Sequence, residues 1–159
     1  MVLILGYGNS LRRDDGAGLL LAEKLDRLWR NAGAQVECLL VHQLTPDLAE
    51  VISRDIVTIV VFVDTRVASD PGDDLQVHLQ RLEPTKMSQS LGHQSDPGSL
   101  LQIARDLFGR FPVAWLLTVP GIDFGLGEGL SRTPQEALHQ LPFWLAIPAT
   151  HWDAGFSRP

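Results

Sequence analysis

The chain has 159 residues, 45% of them hydrophobic and 20% charged, an ordinary globular mixture that predicts one domain with its own core and no linker. A formal net charge of -6 with no basic face visible in the sequence argues against a nucleic-acid backbone as partner. No apolar run approaches the roughly 20 residues that span a bilayer, no cleavage-site pattern follows the first apolar run, and a single cysteine, Cys38, closes no intrachain disulfide, so the expectation is a cytoplasmic protein with no membrane partner.

Residues 2–5 (VLIL) are too few for a helix and suit a fully buried parallel strand, after which Gly6 and Gly8 let the backbone turn sharply. The spacing of Leu21, Ala22, Leu25, Leu28 and Trp29 predicts a helix over residues 16–31, and Asn31-Ala32-Gly33 tolerates a left-handed C-cap. Asp14 and Asp15 then fall near a helix N-terminus at the carboxyl edge of the sheet, where open α/β folds place ligands. Residues 35–41 (QVECLLV) read as a second strand with His42 and Gln43 at its exit. Thr45-Pro46 predicts the N-cap and first turn of a second helix reaching about Arg54.

Residues 56–64 (IVTIVVFVD) give the strongest strand signal, rich in Val and Ile without alternation, as in a central strand covered on both faces. The strand ends on Asp64, too costly to bury alone and so expected at the carboxyl edge beside Asp14 and Asp15. Residues 75–82 alternate Leu75, Val77 and Leu79 against Gln76, His78 and Gln80, which predicts an edge strand with His78 on its wet face. Residues 83–98 are polar and irregular until Asp96-Pro97 caps a third helix through about Phe108. Residues 113–119 (VAWLLTV) read as another buried strand, and residues 120–132, with four glycines, as a long loop and the candidate for a mobile cover over a site. Thr133-Pro134-Gln135-Glu136 has the pattern of a capping box opening a final helix, which Pro142 ends or kinks. Residues 1–150 thus make one α/β domain, with residues 151–159 a loosely ordered tail.

Three chemistry-bearing side chains fall on separate elements: Asp15 after the first strand, Asp64 at the end of the third and His93 in the loop before the third helix. Two carboxylates and an imidazole form a donor set that suits zinc, nickel or another first-row cation, with positions open for water or substrate. There are plainer readings. Asp14 and Asp15 would complement the positive end of the first helix, worth about 0.3 to 1 kcal/mol each. Asp64 would be a solvated strand-end acid, and His93, like His42, His78, His139 and His151, a surface hydrogen-bonder. Gly6-Tyr7-Gly8-Asn9 also suggests a nucleotide-binding turn, but the third glycine position is Leu11 and two acids at the helix start repel phosphate. No Gly-x-Ser-x-Gly elbow occurs and Cys38 lies within a strand, so serine and cysteine nucleophiles are poor candidates.

The combination G-x-G-N-x-L-x-x-D-D-G-x-G over residues 6–18, V-x-V-D-T over residues 61–65 and G-H-Q over residues 92–94 resembles the hydrogenase maturation proteases. The resemblance implies a three-layer α/β/α sandwich around a mixed, mostly parallel five-stranded sheet. It implies an aspartyl-type endopeptidase that removes the C-terminal extension of a [NiFe] hydrogenase large subunit after nickel insertion. The family's metal-binding trio falls here on Asp15, Asp64 and His93, with Asp15 and Asp64 also catalytic, and with Asn9, Asp14, His42 and Gln43 as substrate-binding candidates. The implied cofactor is nickel supplied by the substrate and not held at rest, the partner the immature large subunit, and the protein itself a monomer. Water is activated either by the metal or by a carboxylate base.

Two departures stand out. Many relatives carry Glu where this chain has Asp15, and most have an aspartate with paired glycines where residues 42–46 here read HQLTP. The latter variant resembles the branch serving NAD-linked bidirectional hydrogenases. The rival readings are a non-catalytic nickel-binding or assembly factor built on the same trio, and a nucleotide-binding α/β enzyme.

Overall fold

The structure is a computed structural model that describes residues 1–68, 74–85 and 96–152. Among these residues five strands, β1 (Val2–Tyr7), β2 (Val36–Val41), β3 (Ile59–Val67), β4 (His78–Leu82) and β5 (Val113–Gly121), form one sheet in the order β2-β1-β3-β5-β4. All pairings are parallel except that of β4 with β5. Between them run α1 (Ala17–Asn31), α2 (Leu48–Ile52), α3 (Pro97–Phe108) and α4 (Arg132–His139). Among the described residues no helix is long and apolar enough to cross a membrane.

Strand side chains alternate between faces, so the apolar runs at residues 2–5 of β1 and residues 59–63 of β3 feed two cores. Val2, Ile4, Val61 and Val63 pack with Leu21, Leu25 and Trp29 of α1 and with Leu138 of α4. Leu3, Leu5, Val60 and Phe62 pack with Leu48 and Ile52 of α2 and with Leu100 and Leu101 of α3. The result is the α/β/α sandwich with one antiparallel edge strand that the resemblance implied.

Several boundaries differ from the sequence reading, each because a partner decides where an element stops. β3 begins three residues later than expected and runs three residues past Asp64. The β1 ladder ends at Gly6 opposite Val63, whereas β5 accompanies β3 as far as Val67 opposite Gly121. Asp64 therefore lies within a strand paired on one side only. β4 is shorter than expected, with Leu75 52% exposed outside it and Val77 and Leu79 buried.

Helix α2 starts at Leu48 instead of after Thr45, because residues 45–47 form a turn whose carbonyls accept from Leu48 and Ala49. The expected capping box is also displaced. Ser131 is the N-cap of α4, Thr133 lies inside the helix, and Glu136 pairs with Arg132 at 2.6 Å. The cap of α3 is as expected, with Asp96 accepting from the Ser99 N–H at 3.0 Å. Trp152, placed by sequence in the tail, is buried and meets Trp29, Trp115 and Trp144 edge-on at 5.4, 5.8 and 5.9 Å. Residues 153–159 lie outside the described residues.

Candidate active site

From β1 the chain crosses through α1 to β2 on one flank and then returns to the other flank of β1 as β3. The carboxyl ends of β1 and β3 thus border a switch point, the place where such sheets open a crevice. Two glycines shape it. At Gly8, φ is 145° and a Cβ would sit 2.1 Å from the Asp15 carbonyl oxygen, so only glycine lets the turn close. At Gly18 a Cβ would sit 2.9 Å from the Asp64 backbone, so the start of α1 lies directly on β3, and the Gly18 N–H donates to the buried Thr65 hydroxyl at 3.0 Å.

These constraints bring Asp15 and Asp64 to one cleft of about 510 Å³, whose walls also include Tyr7, Arg12, His42, Gln43 and Phe124. Asp15 Oδ2 accepts from the Asn9 N–H at 2.9 Å, and Asp64 Oδ1 accepts from the Thr65 N–H at 2.7 Å. Burial pushes the Asp64 carboxyl above its usual range; hydrogen bonding from Tyr7 and from the Thr65 N–H opposes the rise and the charge of Asp15 adds to it. Burial and the nearby Asp64 charge raise the Tyr7 phenol far above its ordinary range, so it stays protonated as a donor. A carboxylate moved toward neutral pH is a better proton acceptor, and two neighbouring carboxylates favour a shared cation.

His42 and Gln43 are exposed and lie on the cleft wall. Asn9 and Asp14 do not. Asn9 Oδ1 accepts from the Leu11 N–H at 2.9 Å and shapes the turn. Asp14 is fully buried, with Oδ2 accepting from Ile122 N–H, Asp123 N–H and the Ser131 hydroxyl at 2.8, 2.9 and 2.6 Å, and Oδ1 from Ser131 N–H at 2.6 Å. It faces the protein interior because it ties the loop after β5 to the turn before α1. This is why Ser131 lends no side-chain cap to α4.

The same loop does not behave as the free cover expected from its glycines. Arg13 N–H donates to Gly127 carbonyl at 3.0 Å, Gly127 N–H to Leu11 carbonyl at 2.9 Å, Asp14 N–H to Asp123 carbonyl at 3.0 Å, and the Arg13 guanidinium pairs with Asp123 at 2.8 Å. The loop is a docked wall that delivers Phe124 to the cleft.

His93 lies outside the described residues. Among the described residues no group of three His, Cys, Asp or Glu side chains is arranged to hold a metal ion. The two carboxylates alone supply hard oxygen donors of the right charge for a cation. Burial pushes the Cys38 thiol up to about 11, which keeps it protonated and removes it as a nucleophile. The sequence reading assigned no role to Tyr7, Thr65, Arg12 or Phe124; the only signal was positional, Thr65 following Asp64 and Tyr7 standing between two glycines.

Several solved structures share this fold. The hydrogenase maturating endopeptidase HybD from E. coli matches with a TM-score of 0.64 over 87% of this chain and 85% of its own, at 22% identity. The [NiFe] hydrogenase maturation protease HycI from Thermococcus kodakarensis matches with 0.59 over 91% and 89%, at 21% identity. The hydrogenase 2 maturation peptidase from a Thaumarchaeota archaeon matches with 0.52 over 87% and 90%, at 21% identity. No protein-family model and no curated protein matches the chain.

Proposed function

We propose that this protein is an aspartyl-type endopeptidase that removes the C-terminal extension from the large-subunit precursor of a [NiFe] hydrogenase once nickel has been inserted. The reading is carried by the convergence of Asp15 and Asp64 on one cleft, in a fold shared over at least 85% of both chains with HybD and HycI.

Nickel enters as part of the substrate. Asp15, Asp64 and His93 are the residues that take it, and a cation held there draws charge from the carbonyl to be attacked. Processing is thereby made conditional on a filled precursor. A water at the carboxylate pair gives its proton to Asp64 as its oxygen adds to the scissile carbonyl. The C–N bond then breaks and the proton passes to the leaving amine. Tyr7, protonated and beside Asp64, holds that carboxylate in place. His42 and Gln43 contact the residues flanking the bond, and the resemblance of HQLTP over residues 42–46 to the branch serving NAD-linked bidirectional hydrogenases supports a substrate of that class. The enzyme acts as a cytoplasmic monomer.

The test is incubation with nickel-loaded and nickel-free precursor, followed by intact-mass measurement. Shortening of the loaded precursor alone is expected. Tight binding of the loaded precursor with no change of mass would assign the protein to the non-catalytic assembly factors instead.

A further inference from the structure

Among the described residues β2 is an end strand of the sheet, paired with β1 alone. The Gln35 and Val41 carbonyls both accept from the β1 side, from Val2 N–H at 2.9 Å and Gly8 N–H at 3.3 Å. Parallel ladders alternate along the strand, so residues 35, 37, 39 and 41 bond to β1, while the main-chain groups of Val36, Cys38 and Leu40 point away from the sheet. Among the described residues nothing accepts from or donates to them. A row of main-chain groups left to solvent is a template for an extended polypeptide.

Exposed edges are normally guarded by lysine, proline, a bulge or very short length. This one runs VECLLV, and its only charge, Glu37, is engaged by Arg54 at 2.6 Å. Beside the edge lies a cavity of about 290 Å³ lined by Leu19, Leu20, Leu40 and Leu130, with Arg13 and Glu23 also on its wall. Leu40 and Leu20 remain 43% and 47% exposed there. The edge also leads somewhere, because β2 runs parallel to β1 and continues directly into His42 and Gln43 on the wall of the carboxylate cleft.

We infer that the outer edge of β2 is a docking rail for an extended segment of the substrate polypeptide. The segment adds as a sixth strand, seats one apolar side chain in the cavity beside Leu40, and passes His42 and Gln43 into the cleft. Main-chain pairing supplies affinity and the cavity supplies sequence preference. This rests on the endopeptidase reading above.

Two variants test it with the nickel-loaded large-subunit precursor as substrate. Leu40→Pro removes an outward N–H and leaves the β1 ladder intact; Leu20→Asp puts a charge in the cavity from an exposed helix position. Both are expected to raise KM by about tenfold with kcat within about twofold of wild type, the pattern of lost binding that is equal in the ground and transition states, at unchanged far-UV circular dichroism. Should Leu40→Pro not fold, Leu20→Asp decides alone. A KM within about twofold of wild type in the folded variants overturns the proposal while leaving the protease standing. A wild-type dimer that Leu40→Pro dissociates with no change in KM overturns it too, giving the edge to a second copy of this chain. Failure of the wild type to trim at all removes the protease reading and this proposal with it.

Discussion

Asp14→Asn keeps the shape of a fully buried side chain and changes only its charge and one acceptor. With the amide oxygen at the Oδ2 position, the bonds from Ile122 N–H, Asp123 N–H and the Ser131 hydroxyl survive, but an NH₂ now faces Ser131 N–H, which lay 2.6 Å from Oδ1. A buried donor left without an acceptor costs about 1–3 kcal/mol. The surviving three lose charge assistance, about 1 kcal/mol apiece. An amide is cheaper to bury than a carboxylate, so the net loss is expected near 3 kcal/mol, or a fall in Tm of about 6–12 °C for a chain of this size. Urea unfolding at pH 7 followed by far-UV circular dichroism should show a lower midpoint at constant m.

The effect has a pH signature. Burial pushes the Asp14 carboxyl up, but its four hydrogen bonds outweigh that and hold it below its usual range. A folded pKa below the unfolded one means that the stabilisation is complete above the unfolded value, about 3.9. It is lost as pH falls through the folded value. The gap between wild type and Asp14→Asn should therefore be widest near neutrality and narrow below about pH 4. A loss under about 1 kcal/mol at pH 7, or a gap independent of pH, would refute the claim that this carboxylate clamps the loop to the turn.

Two further outcomes follow from packing. Gly18→Ala places a Cβ 2.9 Å from the Asp64 backbone and 3.1 Å from the Val63 carbonyl oxygen, so α1 must lift from β3. A loss of about 1–3 kcal/mol is expected, with precursor trimming slowed by about tenfold or more as Asp15 and Asp64 shift relative to each other; a variant with wild-type stability and rate would contradict the close approach. Trp152→Ala should cost about 3–5 kcal/mol, read as a lowered Tm, because the side chain is only 4% exposed within a cluster of three other tryptophans. A change below about 1 kcal/mol would return residue 152 to the tail.

The sheet was readable because buried parallel strands are written as consecutive apolar residues, and Val2 to Leu5 and Ile59 to Val63 are such runs. The two carboxylates were readable because Asp64 directly follows the second run and Asp15 stands in the turn that leads from the first into a helix. What the sequence hid was everything decided by a distant partner. Asp14 looks like its neighbour Asp15 until residues 122–131, more than a hundred positions away, supply its donors. Thr133 and Glu136 fit a capping box, but Arg132 takes Glu136 and Asp14 takes the Ser131 hydroxyl. The glycines of residues 120–132 suggested freedom, whereas main-chain bonds to residues 11–14 anchor that loop. Tyr7 gave no sign of its place beside Asp64, since nothing local distinguishes it from a strand-end aromatic.

The carboxylate pair carries the proposed activity, and the direct measurement is trimming of nickel-loaded precursor by Asp15→Asn, Asp64→Asn and His93→Ala, with Tm taken in parallel. Burial raises the Asp64 pKa in the folded protein, so its contribution to stability is lost as pH rises through the folded value and its charge is a cost at pH 7. Asp64→Asn should therefore melt no lower than wild type while losing activity. Complete loss of trimming in all three folded variants is the predicted result. Trimming at the wild-type rate by either aspartate variant would contradict it.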